Sequence, residues 1–192
     1  MLGQRLRTER ERQEIGLRTL AKRVGVSASL ISQVERGKVM PSVGTLYAIV
    51  RELGLSMDEL FGDEDSARRS GSPGPVQRRG DRKGLELANG VHWERLTPTA
   101  DPRIEFHYAV YEVGAESCPP DSLMRHSGKE CGYVLGGRLG VTIGYESYEL
   151  APGDSVSFLS SLPHRLWNPG DEVTTAIWLV VDRDGDPRLL TD

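Results

Sequence analysis

Cysteine is scarce in this 192-residue chain: Cys118 and Cys131 are its only two. Two cysteines without CxxC spacing cannot build a disulfide framework, so reduced, buried thiols are the expectation for both. Long apolar runs are missing as well. The longest, "AIWLVV" near the C-terminal end, is far short of the roughly 20 residues that cross a bilayer. "MLGQRLRTERERQE" contains no apolar stretch of the signal-peptide kind, and the expectation is a soluble, cytoplasmic protein.

A third shortage is local. "GDEDSARRSGSPGPVQRRGDRK", residues 62–83, has no aromatic and one valine, and it concentrates Gly, Pro, Ser and charge. Such a segment cannot bury enough apolar surface to fold. It divides the chain into a helical domain over 1–62, a flexible linker over 63–83 and a second domain over 84–192. The charge divides at the same place. Residues 1–62 carry 10 Lys/Arg against 7 Asp/Glu, and 63–83 carry 6 against 4, whereas 84–192 carry 8 against 17. A basic front joined to an acidic back suggests that the front meets a polyanion, although +3 on the first sixty residues is too modest to decide this alone.

Over residues 2–61 apolar side chains recur at helical spacing. Leu2 and Leu6 open one helix, and Leu17, Leu20, Ala21 and Val24 mark a second. Leu30, Ile31 and Val34 mark a third, Leu46, Ile49, Val50 and Leu53 a fourth, and Met57, Leu60 and Phe61 a short fifth. The punctuation agrees: Gly25 and Gly37 suit helix ends, and Ser27, Ser42 and Ser56 suit N-caps. After Gly84 the pattern becomes short β-rich runs separated by turns: "VHWERL", "RIEFHYAVYEV", "CGYVL", "RLGVTIG", "YESYEL", "DSVSFL", "HRLWN" and "TTAIWLVV". Eight strands with no helix between them predict an antiparallel sandwich, jelly roll or small barrel.

The helical half contains "LRTLAKRVGVSASLISQVERGKVMPSVGTLYAIVRELG" and closely resembles the Xre/Cro family of phage-repressor-like helix-turn-helix regulators over residues 2–61. The physics of the match is specific. Ala21 lets two helices approach, Gly25 supplies a positive φ for the turn, and Ile31 and Val34 lock the second helix of the pair onto the first. The resemblance implies a five-helix lambda-repressor-like bundle whose third helix enters the major groove of DNA. It places Ala28, Ser29, Ser32 and Gln33 toward base edges, with Gln33 suited to adenine and Ala28 to a thymine methyl. Ser27, Arg36 and Lys38 fall at phosphate-contact positions. It also implies a structural Arg10–Glu35 ion pair. The turn "QEIGLRT" departs from the family pattern, with Glu14 where glycine is usual and Gly16 where a capping side chain is usual.

In the second half, "LMRHSGKECGYVLGG" places His126 four residues before Glu130. On a straight strand the two would stand about 13 Å apart, so they can share an ion only if the chain turns at "SGK", where Gly128 accepts unusual φ values. This stretch resembles the first cupin motif, and "APGDSVSFLSSLPHRLWN" resembles the second, with His164 at its histidine position and Asn168 four residues later. The resemblance covers about residues 90–182 and implies an all-β double-stranded β-helix, or jelly roll. The first histidine of the family's metal set is replaced by Met124, a soft and weak ligand. His126, Glu130 and His164 remain, a two-histidine, one-carboxylate set able to hold a divalent Fe, Zn, Mn or Ni ion.

Three readings of that set stand side by side: an effector-sensing pocket formed by Met124, His126, Glu130 and His164, with or without a metal; a catalytic Fe(II) site; and a vestige whose polar groups satisfy one another. The catalytic alternative follows from a resemblance to the helix-turn-helix and cupin iron epoxidase of fosfomycin biosynthesis. That enzyme's substrate-closing lysine aligns here with Glu14, which would repel a phosphonate. His107 lies on one face of a strand that periodicity alone does not orient, and Tyr108, Tyr111, Arg125 and Trp167 are further ligand-contact candidates. His92 is expected to be exposed. Together these features predict a one-component regulator acting as a homodimer on an inverted-repeat DNA operator and answering to a small-molecule effector.

Overall fold

A computed structural model describes residues 2–61, 74–101 and 103–181. Four helices open the chain: α1 (Leu2–Arg12), α2 (Leu17–Val24), α3 (Ala28–Glu35) and α4 (Val43–Leu53). Their ends follow the local chemistry. Gly25 closes α2 at φ 79°, where a residue with a Cβ would be strained. Ser27 Oγ accepts the Leu30 N–H (3.1 Å) and Ser42 Oγ accepts the Thr45 N–H (3.2 Å), so α3 and α4 each begin on a capped donor. The expected fifth helix is instead a four-residue 3₁₀ turn, Asp58–Phe61. The turn closes through an i→i+3 bond, Leu60 N–H to Met57 O at 3.0 Å.

Leu6, Leu20, Ile31, Leu46, Ile49 and Leu53 are almost fully buried among the helices. At ~25 cal/mol per Å² of apolar surface, burying each such side chain contributes on the order of 2 kcal/mol. Arg10 and Glu35 pair across this core in fork-to-fork geometry, Nε to Oε1 at 2.6 Å and Nη2 to Oε2 at 2.8 Å. Arg10 Nη1 also donates to Ile15 O (2.9 Å), which fixes the turn between α1 and α2. In that turn Glu14 stands at φ 55°, in the left-handed region, and Gly16 caps α2 with no side-chain hydrogen bond. Both departures noted in the sequence are therefore visible as geometry: the missing glycine leaves strain, and the missing cap leaves a bare helix start.

The second half is a two-sheet jelly roll. Its strands are β1 (Gly84–Glu86), β2 (Val91–Arg95), β3 (Ile104–Tyr111), β4 (Lys129–Gly136), β5 (Leu139–Ile143), β6 (Glu146–Leu150), β7 (Ser155–Leu159), β8 (His164–Trp167) and β9 (Thr174–Val181). Six form one sheet in the order β1-β2-β3-β9-β4-β7 and three form the other, β6-β5-β8, all pairs being antiparallel. All eight expected strands are present. The additional β1 is three residues long, too short to announce itself by alternation. Of the expected linker, residues 63–73 lie outside the described residues. Residues 74–83 are placed, and Arg82 pairs with Glu94 (3.1 Å) and lies over the Tyr108 ring.

The inner face of the large sheet is set by the period-two pattern of its strands. Along β3 the buried positions are Glu105, His107, Ala109 and Tyr111, while Ile104, Phe106, Tyr108 and Val110 are only partly covered. His107 thus points inward, between Trp93 (ring centroids 5.0 Å apart) and Phe61 of the helical domain (4.8 Å). His92, expected at the surface, is half-buried beside Glu86. Both cysteines are free thiols; Cys118 is buried, and burial pushes its thiol up, whereas Cys131 is partly exposed.

Candidate functional site

The three residues of the cluster come from three separate places, and the backbone shows how each is delivered. Glu130 is on β4, between Phe158 of β7 and Val180 of β9. His164 begins β8. His126 sits in the crossing loop before β4, and that loop is pinned at both ends. Met124 and His164 exchange both backbone hydrogen bonds at 3.0 Å, while His126 N–H donates to Ser160 O (3.0 Å) and Ser160 N–H to Gly128 O (2.9 Å). Gly128 stands at φ 104°, so the chain reverses where "SGK" predicts. His126 Nε2 and Glu130 Oε1 are consequently 2.9 Å apart, and His164 Nε2 reaches the same oxygen at 3.0 Å.

Relative exposure is 8% for His126, 2% for Glu130 and 0% for His164, so the cluster is sealed from bulk water. Each imidazole has its Nδ1 beside a carbonyl: His126 at 2.9 Å from Ser127 O and His164 at 2.8 Å from Leu162 O. A carbonyl only accepts, which assigns the proton of each neutral ring to Nδ1 and leaves Nε2 as a lone pair. Glu130 Oε1 is an acceptor as well. Apart from one another, these three atoms meet no hydrogen-bond partner among the described residues. Three buried acceptors converging on one point require a cation between them, either a proton or a metal ion. Burial by itself would lower the His126 imidazole, but the hydrogen bond and charge of Glu130 outweigh it and raise it above its ordinary value. Burial likewise opposes ionisation of Glu130, and the two imidazoles reverse this, holding the carboxyl well below the usual carboxylate range.

Glu130 is oriented from behind. Its second oxygen, Oε2, accepts the indole N–H of Trp178 on β9 at 2.7 Å. That indole packs where Gly132 leaves space: a Cβ on Gly132 would lie 2.1 Å from the ring. With the carbonyls behind both histidines, every residue of the cluster has a supporting partner, as is usual in metal sites. The donor set fits a divalent metal, and the cluster is the group of His, Cys, Asp and Glu among the described residues whose ligand atoms converge, all within 4.8 Å. Met124 is buried and tied to His164 through its backbone.

Other candidates are dispersed. Tyr111 is fully buried and its phenol is pushed up, chiefly by burial; Trp167 is half-covered with Arg165 stacked on it (4.7 Å), and Arg125 is exposed. Asn168 is structural, with its amide donating to the carbonyls of Tyr111, Glu112 and Glu172. The sequence offered no sign of Tyr47, Glu105 or Trp178 at the site. Tyr47 falls within an apolar helical repeat and Trp178 within an apolar strand, where each reads as core packing.

On the helical domain, α3 turns Ile31 and Val34 inward and leaves Ser27, Ser29, Arg36 and Lys38 exposed, with Ala28, Ser32 and Gln33 partly exposed on the helix. Gln33 Nε2 lies 3.3 Å from Ser29 Oγ, so the two polar residues are neighbours one turn apart. Glu14 is exposed at the α1–α2 turn.

Residues 6–60 match the helix-turn-helix family and residues 107–182 match the cupin domain family. The HTH-type transcriptional regulator PuuR of Escherichia coli (strain K12) is 27% identical over 168 residues, 86% of each chain. A helix-turn-helix family transcriptional regulator from Vibrio cholerae of known structure is 22% identical, covers 94% of each chain and superposes with a TM-score of 0.67, which establishes the shared two-domain fold. A hydroxypropylphosphonic acid epoxidase from S. wedmorenis, 20% identical over 93% of this chain and 96% of its own, reaches a TM-score of only 0.47. The chain joins a domain of the helix-turn-helix family to a C-terminal domain of the cupin family.

Proposed function

We propose that this protein is a DNA-binding transcription regulator whose cupin domain senses a small molecule. The observation that carries the reading is α3: anchored on its inner side by Ile31 and Val34, capped by Ser27, and carrying Ser29, Ser32 and Gln33 where a major groove would be read. Ala28 completes the base-facing set, and Ser27, Arg36 and Lys38 take the phosphates, aided by the positive end of the helix dipole. The likeness to PuuR over most of both chains supports the regulator class. One such helix covers one half-site, so the working form is a homodimer on an inverted repeat. The working boundaries are residues 1–62, 63–83 and 84–192, and the setting is the cytoplasm.

The sensing site is the His126–Glu130–His164 cluster with Met124 beside it. A divalent ion held there, Fe, Zn, Mn or Ni, would supply open coordination positions for an effector carrying oxygen or nitrogen donors. The residues themselves hold the two Nε2 lone pairs and one carboxylate oxygen together in a buried site. Titrating the purified protein against DNA carrying its own promoter, at several salt concentrations, tests the reading. A specific complex that weakens steeply with salt is expected, and Gln33→Ala should relax sequence preference. Absence of binding even at low salt would end it.

A further inference from the structure

The helical domain rests directly on the cupin cluster through a side chain of α4. Tyr47, on α4, lies flat on the His126 imidazole, with ring centroids 4.2 Å apart and planes within 1° of parallel. Its hydroxyl donates to Glu105 Oε2 at 2.6 Å, and its edge meets Trp93 at 6.2 Å. The ring is 5% exposed. Around it the domains are joined through backbone: Gly44 N–H donates to Ser117 O (3.1 Å) and Ala88 N–H to Pro41 O (2.9 Å). A Cβ on Gly44 would lie 3.1 Å from the Cys118 Cβ, so α4 packs tightly on the cupin at this point.

The His126 ring is therefore held on three sides. Ser127 O fixes Nδ1, His164 stands edge-on at 5.1 Å, and Tyr47 covers the face. Only the first two holds come from the cupin itself. The rest of α4 packs on α1 and α2, and α2 carries α3. We propose that Tyr47 is a positioning residue of the cupin site contributed by the helical domain: it orients His126 for a divalent cation, and the same stack links cation binding to the seating of α4. This rests on the sensing reading only in that the cluster takes a cation. Linkage then works in both directions. An ion that fixes His126 gives Tyr47 a firmer platform, and loss of the Tyr47 ring weakens the site for the ion by the same factor.

The test uses the full chain, metal-free, titrated with Co(II) by calorimetry, and follows backbone hydrogen exchange in residues 43–53 with and without Co(II). Wild type should bind one Co(II) and exchange more slowly across α4 when loaded. Tyr47→Leu, which keeps bulk and removes the flat ring, should bind Co(II) roughly 10- to 100-fold more weakly and lose the effect of Co(II) on α4 exchange. Tyr47→Phe, which keeps the ring, should stay within about threefold of wild type in affinity. It should exchange faster across α4 in both states, because Glu105 loses the phenol donor. The proposal is overturned by Tyr47→Leu binding Co(II) as wild type does. It is equally overturned by wild-type α4 exchange that ignores Co(II), or by no Co(II) binding in wild type. The wild-type comparison decides the matter even where a variant does not fold. Neither readout involves DNA, so failure here leaves the DNA-binding reading standing.

Discussion

Trp178→Phe isolates the support behind the cluster without touching a candidate ligand. The indole N–H is bonded at 2.7 Å to a carboxylate oxygen of Glu130, with both side chains buried. Phenylalanine cannot donate, and removing one partner of a buried, charged hydrogen bond costs about 1.5–3 kcal/mol. The smaller ring also leaves part of the hollow over Gly132 unfilled, adding on the order of 1 kcal/mol. A loss of about 2.5–4 kcal/mol follows, a large part of the ~5–15 kcal/mol that holds a typical domain together. Urea unfolding of the metal-free protein, followed by circular dichroism, measures it. A Co(II) titration of the same variant should show affinity falling by roughly 10- to 100-fold, because Glu130 loses the group that aims it. An unfolding free energy within about 0.5 kcal/mol of wild type, with unchanged Co(II) affinity, would refute the reasoning.

Glu35→Ala should destabilise the helical domain by about 3–5 kcal/mol in denaturant unfolding, since it strands the buried Arg10 guanidinium. Glu14→Gly should stabilise the same domain by up to about 1 kcal/mol, seen as a higher thermal midpoint, by relieving the left-handed strain at φ 55°. Gly132→Ala should disturb the cluster as strongly as Trp178→Phe, because its Cβ would lie 2.1 Å from the indole ring; weakened Co(II) binding is the readout. Adding a binding metal at about 100 times its Kd should stabilise the chelated wild type by about 2.7 kcal/mol and the His126, Glu130 and His164 triple alanine variant not at all.

What could be read from the chain was what local chemistry dictates. Gly25, Ser27 and Ser42 mark helix ends whatever surrounds them, the two cupin motifs carry their spacing with them, and the Arg10–Glu35 pair, 25 residues apart, was implied by the family resemblance alone. His126 and Glu130 could be joined on paper because Gly128 lies between them. The long-range contacts could not: Tyr47 and Glu105, across the domain boundary, are 58 residues apart, and Trp178 and Glu130, within the cupin sheet, are 48 apart. An alternating strand defines two faces without saying which is inside, so His107 became a buried residue only when β2 and the helical domain closed over it. The fifth helix shrank to a turn because apolar spacing over four or five residues does not distinguish the two.

On the proposed reading, the buried His-Glu-His cluster and the DNA-reading helix belong to one device. Its most direct test is the affinity of the full-length protein for its own promoter DNA, at fixed salt, chelated and loaded with Co(II), beside the His126, Glu130 and His164 triple alanine variant. Co(II) should change wild-type affinity by at least about fivefold, the lower end of ordinary coupling between sites, and leave the variant unchanged. Wild-type DNA affinity indifferent to Co(II), or a variant that responds as wild type does, would contradict it.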